Sequence, residues 1–161
     1  MNLQQLFKMQ QELDDFIEKT QKIEQDVFKE KGLALMVELA ELANETRCFK
    51  FWSTKGPSDR TVILEEYVDS IHFILSLGLL KGYTKLENWP VIQEKRNLTE
   101  IFLLTQDYIL TFIHQPSEDR YLMIWQCYSL LAYNLGFTFE DVVAAYIEKN
   151  EENYNRQRSG Y

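Results

Sequence analysis

The sequence predicts an all-α fold, a bundle of about six helices forming one domain over residues 1–161. Apolar residues recur every three or four positions along nearly the whole chain, the period of helices with one buried face. No stretch of useful length alternates apolar and polar residues as a half-buried strand would, and no repeat or low-complexity tract is visible. Hydrophobic residues at 45% and aromatics at 14% supply enough apolar surface for a core, which argues against disorder.

Leu3, Leu6, Leu13, Phe16 and Ile17 fall at helical spacing and predict a first helix over 3–20. A polar stretch follows to Gly32. The second helix then carries Glu38 and Glu41 among Leu35, Met36, Val37, Leu39 and Leu42. Gly56-Pro57-Ser58 separates it from a third helix, with Ser58 as the expected N-cap and Asp59 in the first turn. That helix runs to about Lys81, where Gly82 stops it, and 83–93, containing Pro90, reads as a loop. Ile101, Phe102, Leu104, Tyr108, Ile109 and Phe112 form the apolar face of a fourth helix over Leu98–His114. Gln115-Pro116-Ser117 turns the chain into a fifth over 119–134, ended by Gly136. Thr138 with Asp141 three residues later matches a capping box and opens the last helix.

Composition excludes several classes. A net charge of −8 and a pI near 4.8 disfavour nucleic-acid binding, which needs a basic face. The longest apolar run, near 71–80, is interrupted by Ser76 and Gly78 and is too short to span a bilayer. The first residues show neither a basic nor an apolar signal region. Cys48 and Cys127 are expected to be free thiols, which suits a reducing, cytoplasmic setting.

The chemistry lies in two acidic pairs, Glu38-x-x-Glu41 and Glu66-x-x-Asp69, each inside a strongly apolar helical stretch. Residues three apart share a helix face, so each pair presents two carboxylates side by side. One such pair is ordinarily a solvated face. Two pairs in neighbouring helices, with Ile63, Leu64, Val68, Ile71 and Ile74 around the second, point instead to a divalent-cation site, because buried carboxylates are costly unless compensated. Hard oxygen ligands suit Mg²⁺, with Mn²⁺ as the alternative, and hence phosphate chemistry. Glu45 and Glu65 lie next to the pairs; Glu45, one turn after Glu41, is a candidate outer ligand, with surface solvation its expected fate. Asp69 and His72 also stand in acid-x-x-His spacing, but a di-iron bundle needs that motif twice, and Thr111 occupies the position three before His114. On the last helix, Lys149, Asn153 and Arg156 share one face at i, i+4, i+7, a set of donors suited to phosphate oxygens.

Taken in order, these patches resemble the dimeric all-α dUTPases, within the MazG-like all-α nucleoside triphosphate pyrophosphatases. Glu38-x-x-Glu41 and Glu66-x-x-Asp69 are similar to that family's metal-binding pairs. Asp69-x-x-His72-Phe73 is similar to its D-x-x-H-F, which implies that His72 and Phe73 belong to the nucleoside pocket. Lys50-x-Trp52 resembles its K-x-W, implying a Trp52 beside the uracil. Gln10 to Asp14 resembles the first-helix motif, implying that the Gln10 amide reads the base as donor and acceptor; Asp14 stands where an Asn is frequent. Lys149, Asn153, Arg156, Gly160 and Tyr161 resemble its terminal phosphate-binding motif, with Tyr161 closing the site.

The resemblance implies a Mg²⁺-dependent dUTP diphosphatase that yields dUMP and pyrophosphate, with dUDP left open. It also implies a homodimer whose partner subunit contributes to the pocket. Glu38, Glu41, Glu66 and Asp69 are the expected metal and catalytic residues, with Glu41 preferred for handling the attacking water. Hydrolysis of a different nucleoside triphosphate, or a non-catalytic regulatory role on the same scaffold, are the alternatives.

Overall fold

The computed structural model describes all 161 residues. Its six helices are α1 (Leu3–Gln21), α2 (Phe28–Thr46), α3 (Arg60–Lys81), α4 (Leu98–His114), α5 (Glu118–Leu135) and α6 (Phe139–Arg158), and it contains no strand. The longest helix, with apolar residues on nearly every side, becomes the central one. α3 packs against α1, α2, α5 and α6, and buries Ile63, Tyr67, Val68, Ile71, Ile74 and Leu75, which point to different sides of it. A helix apolar on nearly all sides has to be surrounded in this way. The α2–α4 and α4–α5 contacts close one side of the bundle, and α1–α6 the other.

Local chemistry sets most helix ends. Asn2 and Gln5 form a capping box at α1, and Thr138 and Asp141 form the expected one at α6. Asn97 and Ser117 cap α4 and α5. Gly82 and Gly136 end α3 and α5 in the left-handed region, with φ of 74° and 78°.

Three expectations need correction, two in α2 and one at the start of α3. Gly32 does not precede this helix but lies buried inside it, where an added Cβ would sit 2.8 Å from the Ile113 side chain. The glycine is there for the close approach of α4. At the other end α2 stops at Thr46, with Arg47 left-handed, well before Gly56. Ser58 is also not the N-cap of α3: Asp59 holds that position without a side-chain cap, while the Ser58 hydroxyl donates to the Glu45 carboxylate. Residues 47–59 therefore form a separate connecting segment that carries Lys50 and Trp52. The 82–97 connection is non-helical, as expected. It is pinned by Gln4, which donates to the carbonyls of Thr84 and Leu86, and by Asn134, which donates to that of Glu94.

Candidate active site

α2 and α3 pack side by side and bring Glu38, Glu66 and Asp69 together, with one oxygen of each within 4.8 Å of the others. Oε2 of Glu38 and Oε2 of Glu66 are buried and have no hydrogen-bond partner. Burial, reinforced by repulsion from Asp69 and Glu41, pushes Glu38 up to about 8 and Glu66 up to about 7. Asp69 rises to about 6, because burial outweighs the pull of Lys149. Lys149 answers only Asp69, so Glu38 and Glu66 are crowded carboxylates without a cationic partner, a charge that a hard divalent cation would supply. Their type and spacing fit Mg²⁺ or Mn²⁺. Glu41, one turn on from Glu38, is exposed and lies outside this set of three, although close enough for its charge to act on both glutamates.

From α6, Lys149 reaches the same cluster. Its Nζ lies 3.2 Å from Asp69 Oδ1, 3.1 Å from Glu65 Oε1 and 3.4 Å from Glu152 Oε2. Burial works against its charge, but Glu65 and Asp69 outweigh it and raise its pKa to about 12. One and two turns further along, Asn153 and Arg156 line a cavity of about 370 Å³ that also takes in Glu38, Asp69, Phe73 and Tyr161. The Arg156 guanidinium sits 5.4 Å from the centre of the Tyr161 ring. Gln21 of α1 donates to the Tyr161 carbonyl and holds the end of the chain at the cavity.

The far end of the cavity is a hydrogen-bonded network. Gln10 Oε1 accepts from Tyr146 Oη at 2.8 Å and from His72 Nδ1 at 2.7 Å, while Gln10 Nε2 donates to Asp14 Oδ1 at 2.9 Å. His72 stacks on Tyr146 at 4.2 Å between centroids. Burial holds the imidazole down to about 3, so it is neutral. With its Nδ1 proton committed to Gln10, Nε2 is a lone pair without a partner.

A family model for dUTPase matches residues 2–161. The chain belongs to the dUTPase family. It is an enzyme of the dUTP diphosphatase type, and its all-helical architecture agrees with that assignment. A comparison with individual curated proteins gave no match. No helix of this dUTPase is long and apolar enough to cross a membrane.

The single protomer does not bring every expected residue of the dUTPase to the cavity. Lys50 and Trp52 sit on the 47–59 segment and do not line it; Trp52 is 65% exposed, its ring edge-on to Phe49 and Phe51. The expectation that the Gln10 amide offers a base both a donor and an acceptor also needs correction. Its oxygen is already taken by Tyr146 and His72, so it has only an N–H to give. Glu45 is not merely solvated, since it accepts from Ser58, and Glu65 pairs with Lys149.

Three participants escaped the sequence reading: Lys31, Ser76 and Tyr146. Two of them carried a signal. Lys31 lies seven residues before Glu38 and Ser76 seven after Asp69, a two-turn spacing that keeps each on the face of its carboxylate.

Proposed function

We propose that this dUTPase is Mg²⁺-dependent and splits dUTP with water into dUMP and pyrophosphate. The carrying observation is the meeting of Glu38, Glu66 and Asp69 beside Lys149. The three carboxylates would hold Mg²⁺, with Mn²⁺ able to replace it. When bound, the ion supplies Lewis acidity to a phosphoryl oxygen and to the attacking water.

The remaining work falls to the chain itself. Lys149 exchanges its carboxylate partners for phosphate oxygens, and Asn153 and Arg156 add directional donors along the same helix face. Tyr161, tethered through Gln21 and packed by Arg156, covers the phosphate end. Glu41, exposed and outside the set of three, would orient or deprotonate water. Phe73 gives the nucleoside apolar surface, and His72 Nε2 offers an acceptor to a base N–H.

The same reading makes the enzyme a homodimer. Leu33 and Val37 of α2 and Leu103 and Leu110 of α4 are exposed on two helices that pack together, and Phe51 on the 47–59 segment is 92% exposed. An apolar face of this kind supports burial against a second copy, which would bring Trp52 of one protomer to the cavity of the other. Both cysteines are free, which supports a cytoplasmic setting.

Pyrophosphate release from dUTP, dCTP and dTTP, each with Mg²⁺ and with chelator, tests the reaction. Selective, Mg²⁺-requiring turnover of dUTP is expected, and equal turnover of dCTP or dTTP would remove the uracil assignment. Mixing inactive Trp52→Ala protein with inactive Asp69→Ala protein tests the shared site. Activity should return in the hybrid dimers, whereas a hybrid as inactive as its parents would place Trp52 in the site of its own protomer.

A further inference from the structure

We propose that Lys31, held by Ser76 and Asp14, is a specificity-determining residue that donates to a carbonyl oxygen of the substrate's base. The inference rests on the dUTP reading above. It begins from a relay of three side chains from three helices. Lys31 Nζ donates to Ser76 Oγ at 2.6 Å, and Ser76 Oγ donates to Asp14 Oδ2 at 2.6 Å. Lys31 and Asp14 are themselves 3.7 Å apart. An ammonium present only to neutralise Asp14 would close on the carboxylate. Here the serine hydroxyl takes the short contact with the carboxylate, and the ammonium stands one step further off. All three residues line the cavity, and an ammonium has three N–H donors, of which Ser76 uses one.

The spacing along the helices places Lys31 at the base end. It lies two turns from Glu38 on α2, and Ser76 lies two turns from Asp69 on α3, about 10 Å in each case. The cavity therefore has carboxylates and Lys149 at one end and the Lys31 relay at the other. That separation is on the scale of a nucleoside measured from its 5′-phosphate to the far edge of the base.

The groups left unpartnered at that end match one base edge. His72 Nε2 is an acceptor with nothing to accept from. Gln10 has one amide N–H to spare, and Lys31 has two. Uracil presents carbonyl, N–H and carbonyl, and so asks for two donors and one acceptor. Cytosine replaces one carbonyl with an amino group and the N–H with a lone pair, setting donor against donor and lone pair against lone pair. A buried site built to hydrogen-bond one edge rejects another because its own groups are left unpaired.

The test is kcat/KM for pyrophosphate release from dUTP, dCTP and base-free 2′-deoxyribose 5-triphosphate, in the Mg²⁺-loaded dimer. Lys31→Met should lower the dUTP value about 10- to 100-fold, mainly through KM, the scale of a charge-assisted hydrogen bond. It should reduce the preference for dUTP over dCTP by a similar factor and leave the base-free substrate within about twofold. Lys31→Arg should recover part of the preference. The double variant Lys31→Met/Asp14→Asn leaves no uncompensated carboxylate, so the same loss of preference there separates recognition from folding. Ser76→Ala, a positioning change, should raise KM for dUTP with kcat nearly constant. Equal loss on dUTP and the base-free triphosphate, or an intact dUTP preference in both Lys31→Met proteins, would overturn the proposal. A wild-type enzyme indifferent between dUTP and dCTP would remove the substrate reading, and this inference with it.

Discussion

At one end of the cavity Glu38, Glu66 and Asp69 are gathered against one another; two turns away Gln10, Asp14, Ser76 and Lys31 are gathered as well, yet each answers its neighbour. The first group leaves two carboxylate oxygens without a partner, and its pKa values are pushed up. The second pairs amide with carboxylate, hydroxyl with carboxylate and ammonium with hydroxyl. Gathering polar groups thus has opposite energetic meaning at the two ends. The carboxylate end stores repulsion that an added cation would relieve, whereas the network end is preorganised and keeps only a few groups for a ligand.

The largest expected effect comes from breaking the carboxylate end. Glu66→Gln should lower kcat for dUTP by about 10²–10³, the scale of removing one group that stabilises developing charge. The same change should raise the Tm of the metal-free protein, because it removes repulsion. A fall in both activity and metal-free Tm would show the cluster to be structural. At the network end the sign reverses. Gln10→Leu leaves His72 and Tyr146 without their shared acceptor and should cost about 2–3 kcal/mol in denaturant unfolding.

A smaller effect links the comparison to pH. Because the folded carboxylates hold protons more tightly than they would in the unfolded chain, a cation has to displace those protons to bind. The rise in Tm produced by a fixed Mg²⁺ concentration should therefore be small near pH 5.5 and grow through pH 8, where Glu38 and Glu66 release their protons. A rise independent of pH would place the ion elsewhere. The smallest effect is expected from Tyr146→Phe, which keeps the stack on His72 and removes one donor to Gln10, for about 1 kcal/mol.

Much of this was legible in the sequence, and what was missed shares one cause. Helix number, the caps at Thr138 and the stops at Gly82 and Gly136 rest on local chemistry, which sequence displays directly. The carboxylate pairs were readable because helical spacing alone sets their faces. Gly32 misled because its role is close contact with Ile113 from a distant helix, which resembles a boundary until α4 is in place. Gln10 was credited with a free acceptor because the two donors that occupy it lie 62 and 136 residues away. Lys31 was passed over, since its partners Ser76 and Asp14 come from two other helices. Trp52 lies on the 47–59 segment away from the cavity of its own protomer, a placement that no helical spacing in the sequence displays.

Counting bound Mn²⁺ by electron paramagnetic resonance, in wild-type protein and in Glu66→Gln, tests the central claim most directly. Saturable binding that Mg²⁺ displaces, present in the wild type and lost in the variant, is the predicted result. No binding, or equal binding by both proteins, would contradict the assignment of Glu38, Glu66 and Asp69 as the metal site.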